Sequence, residues 1–188
     1  LTKENTLPPA WDVRIPVESE ATLGEPVLFS WNLDLPEHLY YSGLVFAFTG
    51  NLEVTVERST EGRSFWIEMK VSCKGLAPCS RCLKETPLEI IGTFRYFYTP
   101  SAENDGQDAD DEMTVTYPPD AAEVNLSGQV WESVVMSLPE KVLCRDECEG
   151  LCPKCGTDLN LGHCGCPKEV PDPRLQAFKD VLPGVSED

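Results

Sequence analysis

Apolar residues recur at every second position in several stretches of the chain, a period that marks half-buried β-strands. Val27, Phe29, Trp31, Leu33 and Leu35 alternate with mostly polar neighbours. Leu52, Val54 and Val56 alternate with Glu53, Thr55 and Glu57, and Phe65, Ile67, Met69 and Val71 alternate with Trp66, Glu68, Lys70 and Ser72. Between these last two runs, Ser59-Thr60-Glu61-Gly62 is a turn signal that joins them into a predicted antiparallel hairpin. A further strand is predicted over 88–98, with Phe94, Tyr96 and Tyr98 on one face and Ile91, Thr93 and Phe97 on the other. Met113, Val115 and Tyr117 predict a short strand that Pro118-Pro119 stops.

The period then changes from two to about four. Leu126, Val130, Val134 and Leu138 recur every fourth residue, with Trp131 and Val135 on a neighbouring stripe, so a helix is predicted with its apolar face on the sheet. Asn125 or Ser127 is placed to cap it, and Pro139 ends it. Trp131 is expected to supply core area rather than a platform for a nucleobase. The predicted class is α+β: an antiparallel β-sheet or open barrel, one packed helix, and a C-terminal Cys-rich, zinc-ribbon-like module. The expected division is an antiparallel β domain over 1–99, an acidic flexible loop over 100–112, a strand and helix completing the core over 113–141, and the Cys-rich module with a C-terminal helix over 142–188. The loop follows from SAENDGQDADDE, which offers too little apolar surface to offset its ordering entropy.

Composition narrows the class. An apolar fraction of 41% and a charged fraction of 25% are near the globular average, which suits one core plus a small appended module in 188 residues. The formal charge of −17 argues against gripping nucleic acid with the whole surface, because phosphate binding rests on clustered Lys and Arg. There is no run of about 18 apolar residues, and the start Leu1-Thr2-Lys3-Glu4-Asn5 lacks the apolar stretch of a secretory signal. A cytoplasmic location is therefore expected, with no membrane partner. In that reducing compartment the nine cysteines are expected as thiols or metal ligands rather than bridges.

Eight of those cysteines fall in pairs: Cys79/Cys82, Cys144/Cys148, Cys152/Cys155 and Cys164/Cys166. Cys79-Ser-Arg-Cys82 lies between two strand patterns, where a tight hairpin tip can aim both sulfurs at one ion, but a tetrahedral structural site needs a second pair. The preferred partition joins Cys79 and Cys82 to Cys144 and Cys148, and groups Cys152, Cys155, Cys164 and Cys166 into a local ribbon. Pro153 stiffens the second turn, Gly156 permits a positive φ there, and Asn160 and Gly162 form turns between the halves. One or two Zn2+ ions are expected. Iron–sulfur ligation is the competing metal, and buried thiols or disulfides the competing reading without one. Cys73 has no paired partner and is expected as a free buried thiol, although it stands as a substitute ligand. His163, beside Cys164, is a competing donor.

An enzyme is not expected. Strands rather than a helix flank Cys79/Cys82, against a thioredoxin-like redox pair. Only two histidines are present, no nucleophile elbow or phosphate-binding glycine loop occurs, and four-sulfur sites leave metal no open position for catalysis or for a small-molecule substrate.

The order of these elements carries a resemblance: CSRCL after a hairpin, an acidic gap, VNLSGQVWESVVMSLPEKVLCRDECEGLCPKCGTDLNLGHCGC, and the closing DPRLQAFKDVL. The chain resembles the YceD family, the large ribosomal RNA subunit accumulation proteins, from about Trp11 and most specifically from Leu126 to Leu182. The resemblance implies a non-catalytic role in accumulation of 23S rRNA and assembly of the large ribosomal subunit. It implies as partner the pre-large-subunit RNA or a ribosomal or assembly protein. Two routes are open, RNA binding through Lys168, Arg174 and Lys179 near the tail and protection of a ribosomal protein, and the net charge favours a protein-mediated route or a narrow RNA contact. His163 and Cys73 depart from the pattern. Two other functions compete: a redox-responsive or zinc-handling protein with labile Cys-bound zinc, and a transcription-associated zinc ribbon.

Overall fold

Strand β6 (Ser64–Pro78) organises the structure because its alternation is nearly uninterrupted: Phe65, Ile67, Met69, Val71, Cys73 and Ala77 all face the core and are buried. Each such aliphatic or aromatic side chain contributes roughly 1.5–3 kcal/mol when fully buried. The computed structural model describes Pro8 and residues 10–18, 26–101 and 113–167. Along its whole length β6 pairs antiparallel with β7 (Glu85–Pro100). On its other side, the N-terminal half of β6 pairs with β5 (Leu52–Glu61), which pairs with β2 (Val27–Leu33). The C-terminal half instead meets β4 (Leu44–Phe48), hairpinned to β3 (His38–Tyr41). Strand β8 (Thr114–Tyr117) runs parallel to β7 at the margin. Among the described residues no pairing returns from β8 to β2, so the seven-stranded sheet stays open.

The α+β class holds, with several local corrections. The β5–β6 hairpin turns at Gly62-Arg63, with Gly62 at φ 63, rather than over Ser59–Gly62; Ser59 and Thr60 are strand residues paired with Trp66 and Phe65. The strand expected to stop near Ser72 continues to Pro78, and that expected over 88–98 spans Glu85–Pro100. The β7–β8 pair is parallel, against an all-antiparallel expectation. The β3–β4 hairpin was not anticipated; its turn places Ser42 and Gly43 at φ 50 and 82, the two positive angles a type I′ turn requires. A small second sheet pairs β1 (Arg14–Pro16) with β9 (Glu123–Asn125), each too short to show a period.

The single described helix, α1 (Ser127–Met136), lies on the inner face against β6 and β7. Val130, Trp131, Ser133 and Val134 are buried, and Trp131 meets Trp11 edge-on at 5.7 Å, so it is a core residue. Neither predicted cap works in the expected way, since Leu126 holds the N-cap position. Asn125 Oδ1 accepts the Ser127 N–H at 2.8 Å, while the Ser127 hydroxyl turns inward to accept the Val13 N–H at 3.0 Å. Tyr96 Oη and Ser133 Oγ stand 3.2 Å apart and tie helix to sheet. Gly92 permits this approach: a Cβ there would stand 2.0 Å from Ser137 Oγ.

Arg58 is buried on β5, donating to the carbonyls of Pro16 and Val17 and lying 4.3 Å from the centre of the Phe65 ring. It thereby bolts the β1 segment to the large sheet. Of the acidic loop expected over 100–112, Pro100 belongs to β7, and residues 102–112 lie outside the described residues, as do the expected C-terminal helix and Lys168, Arg174 and Lys179.

Candidate functional site

The β6–β7 hairpin reverses through Cys79–Lys84, and its tip is a knuckle. Cys79 N–H donates to the Lys84 carbonyl and Leu83 N–H to the Cys79 carbonyl, both at 2.9 Å, which forces Leu83 to φ 61. This closure places the Cys79 and Cys82 sulfurs on the same side. The segment after α1 runs back to them: Ser80 N–H donates to the Val142 carbonyl at 2.7 Å, and Val142 N–H to the Ser80 hydroxyl at 3.1 Å.

Arg81, between the two knuckle cysteines, completes the docking. Its guanidinium donates to the Cys148 carbonyl at 2.7 Å, and its own carbonyl accepts the Leu151 N–H at 3.2 Å. Gly150, at φ 79, passes so close that a Cβ there would stand 3.1 Å from the Arg81 carbonyl oxygen. Cys79, Cys82, Cys144 and Cys148 are thus brought together, their four sulfurs all within 4.8 Å of one another. Cys79 Sγ is 3.8 Å from Cys148 Sγ, and Cys82 Sγ is 3.6 Å from Cys144 Sγ. Sulfurs bound tetrahedrally at about 2.3 Å from one ion stand about 3.8 Å apart, whereas a disulfide requires about 2.05 Å.

The second group is built within the tail. Gly156, at φ 72, turns the chain after Cys155, with Gly156 N–H donating to the Cys152 carbonyl and Cys152 N–H to the Thr157 carbonyl, both at 2.8 Å. Leu151 and Asp158 form an antiparallel bridge, and Gly162 reverses the chain before Cys164. Cys152, Cys155, Cys164 and Cys166 then hold four sulfurs mutually within 4.8 Å. Cys152 is buried, Cys164 and Cys166 are half-buried, and Cys155 is exposed. In the first group Cys79, Cys82 and Cys148 are buried.

Acidity within each group is divided. Burial works against the Cys79 thiolate, but the N–H groups of Cys82, Arg81 and Cys144 outweigh it and bring the thiol down to about 6. Cys144 is pushed up to about 12 by burial and by the sulfurs of Cys82, Cys148 and Cys79. In the tail, the Thr157 hydroxyl and N–H bring Cys155 down to about 6, whereas the Cys155 sulfur, and then burial, push Cys166 up to about 12. Four thiolates so close repel one another, and a divalent cation at their centre relieves that repulsion. Both groups can therefore hold a metal ion, with no coordination position left open once four sulfurs bind.

Cys73 belongs to neither group. It faces the main core from β6, and burial pushes its thiol up to about 11. His163 lies near the tail group but outside its set of mutually close donors. Two residues that spacing alone does not flag as functional, Arg81 and Asn160, prove to organise the sites. Asn160 had been expected only as a turn former. The signal for Arg81 was its place inside the knuckle, where a long donor reaches a docking segment.

No helix among the described residues is long and apolar enough to cross a membrane. No solved structure matches the chain. Among curated proteins it is similar to a chloroplastic homolog of the large ribosomal RNA subunit accumulation protein from Arabidopsis thaliana, 28% identical over 118 residues, covering 50% of this chain and 37% of that protein. It is also similar to uncharacterized proteins of Mycobacterium tuberculosis, 27% identical over 134 residues, and Mycobacterium leprae, 28% identical over 138 residues. These matches cover 70% of this chain, and 61% and 58% of the respective relatives, so the chain spans less than two thirds of each relative's length. A family profile described as large ribosomal RNA subunit accumulation protein YceD matches residues 67–182, which takes in both cysteine groups, the knuckle hairpin and the helix between them. On that match the chain belongs to the YceD family.

Proposed function

We propose that this chain is a non-enzymatic ribosome-biogenesis factor that supports accumulation of 23S rRNA and assembly of the large ribosomal subunit, held in shape by two structural zinc ions. The observation that carries this reading is the pair of closed four-cysteine groups inside the span matched by a family named for large ribosomal RNA subunit accumulation. Cys79, Cys82, Cys144 and Cys148 would hold one ion and Cys152, Cys155, Cys164 and Cys166 the other. An all-sulfur set of four mutually close donors suits zinc, which has no redox chemistry of its own and takes tetrahedral geometry without strain. The first ion fastens the segment after α1 to the hairpin tip; the second folds the tail.

The partner is the pre-large-subunit RNA or a ribosomal or assembly protein. A net charge of −17, deepened by roughly two more negative charges for each zinc bound by four thiolates, favours a protein-mediated route or a narrow RNA contact over broad phosphate binding. The working compartment is reducing, the bacterial cytoplasm or its organellar equivalent, where these thiols persist. Depletion of the protein tests the reading: the ratio of 23S to 16S rRNA falls if it holds, and an unchanged ratio overturns it.

The exposed Cys155 sulfur, with its lowered pKa, favours one second reading: a redox-responsive protein that releases tail zinc on oxidation. Peroxide treatment at levels that spare the sheet-anchored group would then release one zinc and modify Cys155. Full zinc retention with unmodified thiols rejects this reading.

A further inference from the structure

Asn160 lies in the tail loop between Cys155 and Cys164, yet its side chain reaches the other group. Its Nδ2 donates to Cys148 Sγ at 3.5 Å and to Asp158 Oδ1 at 2.6 Å. Its Oδ1 accepts from the Arg145 guanidinium at 2.7 Å and from the Glu149 N–H at 2.9 Å. These four bonds use the full capacity of a side-chain amide: two donors and two acceptor lone pairs. They also settle which way it points, since the reverse orientation would set its oxygen against a carboxylate and a sulfur, and its NH2 against two donors.

The amide is held there by the tail's own fold. Asn160 N–H donates to Asp158 Oδ1 at 2.9 Å, Leu159 N–H donates to the Gly150 carbonyl at 2.9 Å, and Asp158 bridges Leu151. The loop carrying Asn160 begins just after Cys155 and ends just before Cys164, so the tail sulfurs clamp it at both ends. A donor outside the ligand set that bonds a coordinating sulfur fixes its orientation and steadies its charge.

We infer that Asn160 is a positioning residue through which the two centres are coupled: closing the tail group on its ion holds the Asn160 amide on Cys148 and so tightens metal binding at the sheet-anchored group. This rests on the reading that both groups hold zinc. With the tail group open, the ordering entropy of the loop is charged against the bond to Cys148, and the sheet-anchored group binds more weakly. Linkage makes the effect reciprocal.

Zinc titrations of the full chain against a chromophoric chelator, with cobalt substitution to read the sulfur-to-metal charge-transfer band, test this as a double-mutant cycle. The parent binds about two zinc ions per chain, and N160A still binds about two while the sheet-anchored site weakens by about 10–100-fold. C155S/C166S binds about one, weakened by a similar factor, and adding N160A to it costs little more, because the two changes remove one interaction. N160D, nearly isosteric and without the donor, reproduces the loss with a shifted cobalt band, separating the effect from a failure to fold. Unchanged affinity in N160A and N160D, or losses that multiply in the combined variant, overturns the coupling while leaving two zinc centres intact. A parent stoichiometry of one overturns the two-centre reading and the coupling with it.

Discussion

The two cysteine groups have the same donors, each with four sulfurs mutually within 4.8 Å, but they are built on different foundations. The sheet-anchored group draws its sulfurs from segments 62–69 residues apart, and one of these is the tip of the longest hairpin in the fold. Three of its four cysteines are buried. The tail group draws all four sulfurs from residues 152–166, with one cysteine buried and one exposed. A site that closes a long loop between packed elements stabilises the native fold more than one that closes a short local loop, because it removes more freedom from the unfolded chain. The first group is accordingly part of the global fold, and the second a local module resting on it.

The largest expected effect is loss of the sheet-anchored group. C79S/C148S should remove about one zinc and lower unfolding stability by more than about 5 kcal/mol, since metal binding at such sites is folding free energy. Urea unfolding with zinc analysis checks this; a stability close to the parent's would erase the contrast between the groups. C164S/C166S should also remove about one zinc but lower sheet stability by no more than about 3 kcal/mol, the cost of weakening the first site 10–100-fold at fixed zinc. Its local signature is rapid proteolysis within 152–166 while the sheet resists.

The junction between the groups is sharpened by G150A. A side chain there meets φ 79 and the Arg81 carbonyl at 3.1 Å, so a loss of about 1–3 kcal/mol is expected, confined to docking of the tail. Hydrogen exchange should show faster opening at Leu151 and Leu159 with the N-terminal half of β6 unaffected. The smallest effect concerns Cys73. Burial raises its pKa, so the neutral thiol persists until pH approaches about 11 and it resists alkylation at pH 8 in the folded protein, even after chelation of zinc. Rapid modification of Cys73 would place it at a surface or in a site.

Much of this architecture is legible before any coordinates. The alternation along 65–71 and the fourfold repeat from Leu126 to Leu138 mark the sheet and its helix because each buries one face of a regular period. The cysteine pairs announce two clusters because metal sites need sulfurs presented by tight turns. Features that depend on tertiary approach were not legible. Strands β1 and β9 are three residues each and exist through their partner. Gly92 reads as a weak strand residue until Ser137 is found against it. Arg58 reads as a surface charge until the carbonyls of Pro16 and Val17 receive it. The turn at Ser42-Gly43 is weakly signalled because the flanking apolar residues do not alternate cleanly.

Two metal staples of unequal reach are the central claim, and zinc per chain, by elemental analysis on the purified full chain and on the two pair variants, tests it most directly. The parent should carry about two zinc ions, and C79S/C148S and C164S/C166S should each carry about one. A parent value of one, or a pair variant that keeps the parent's full complement, would contradict it.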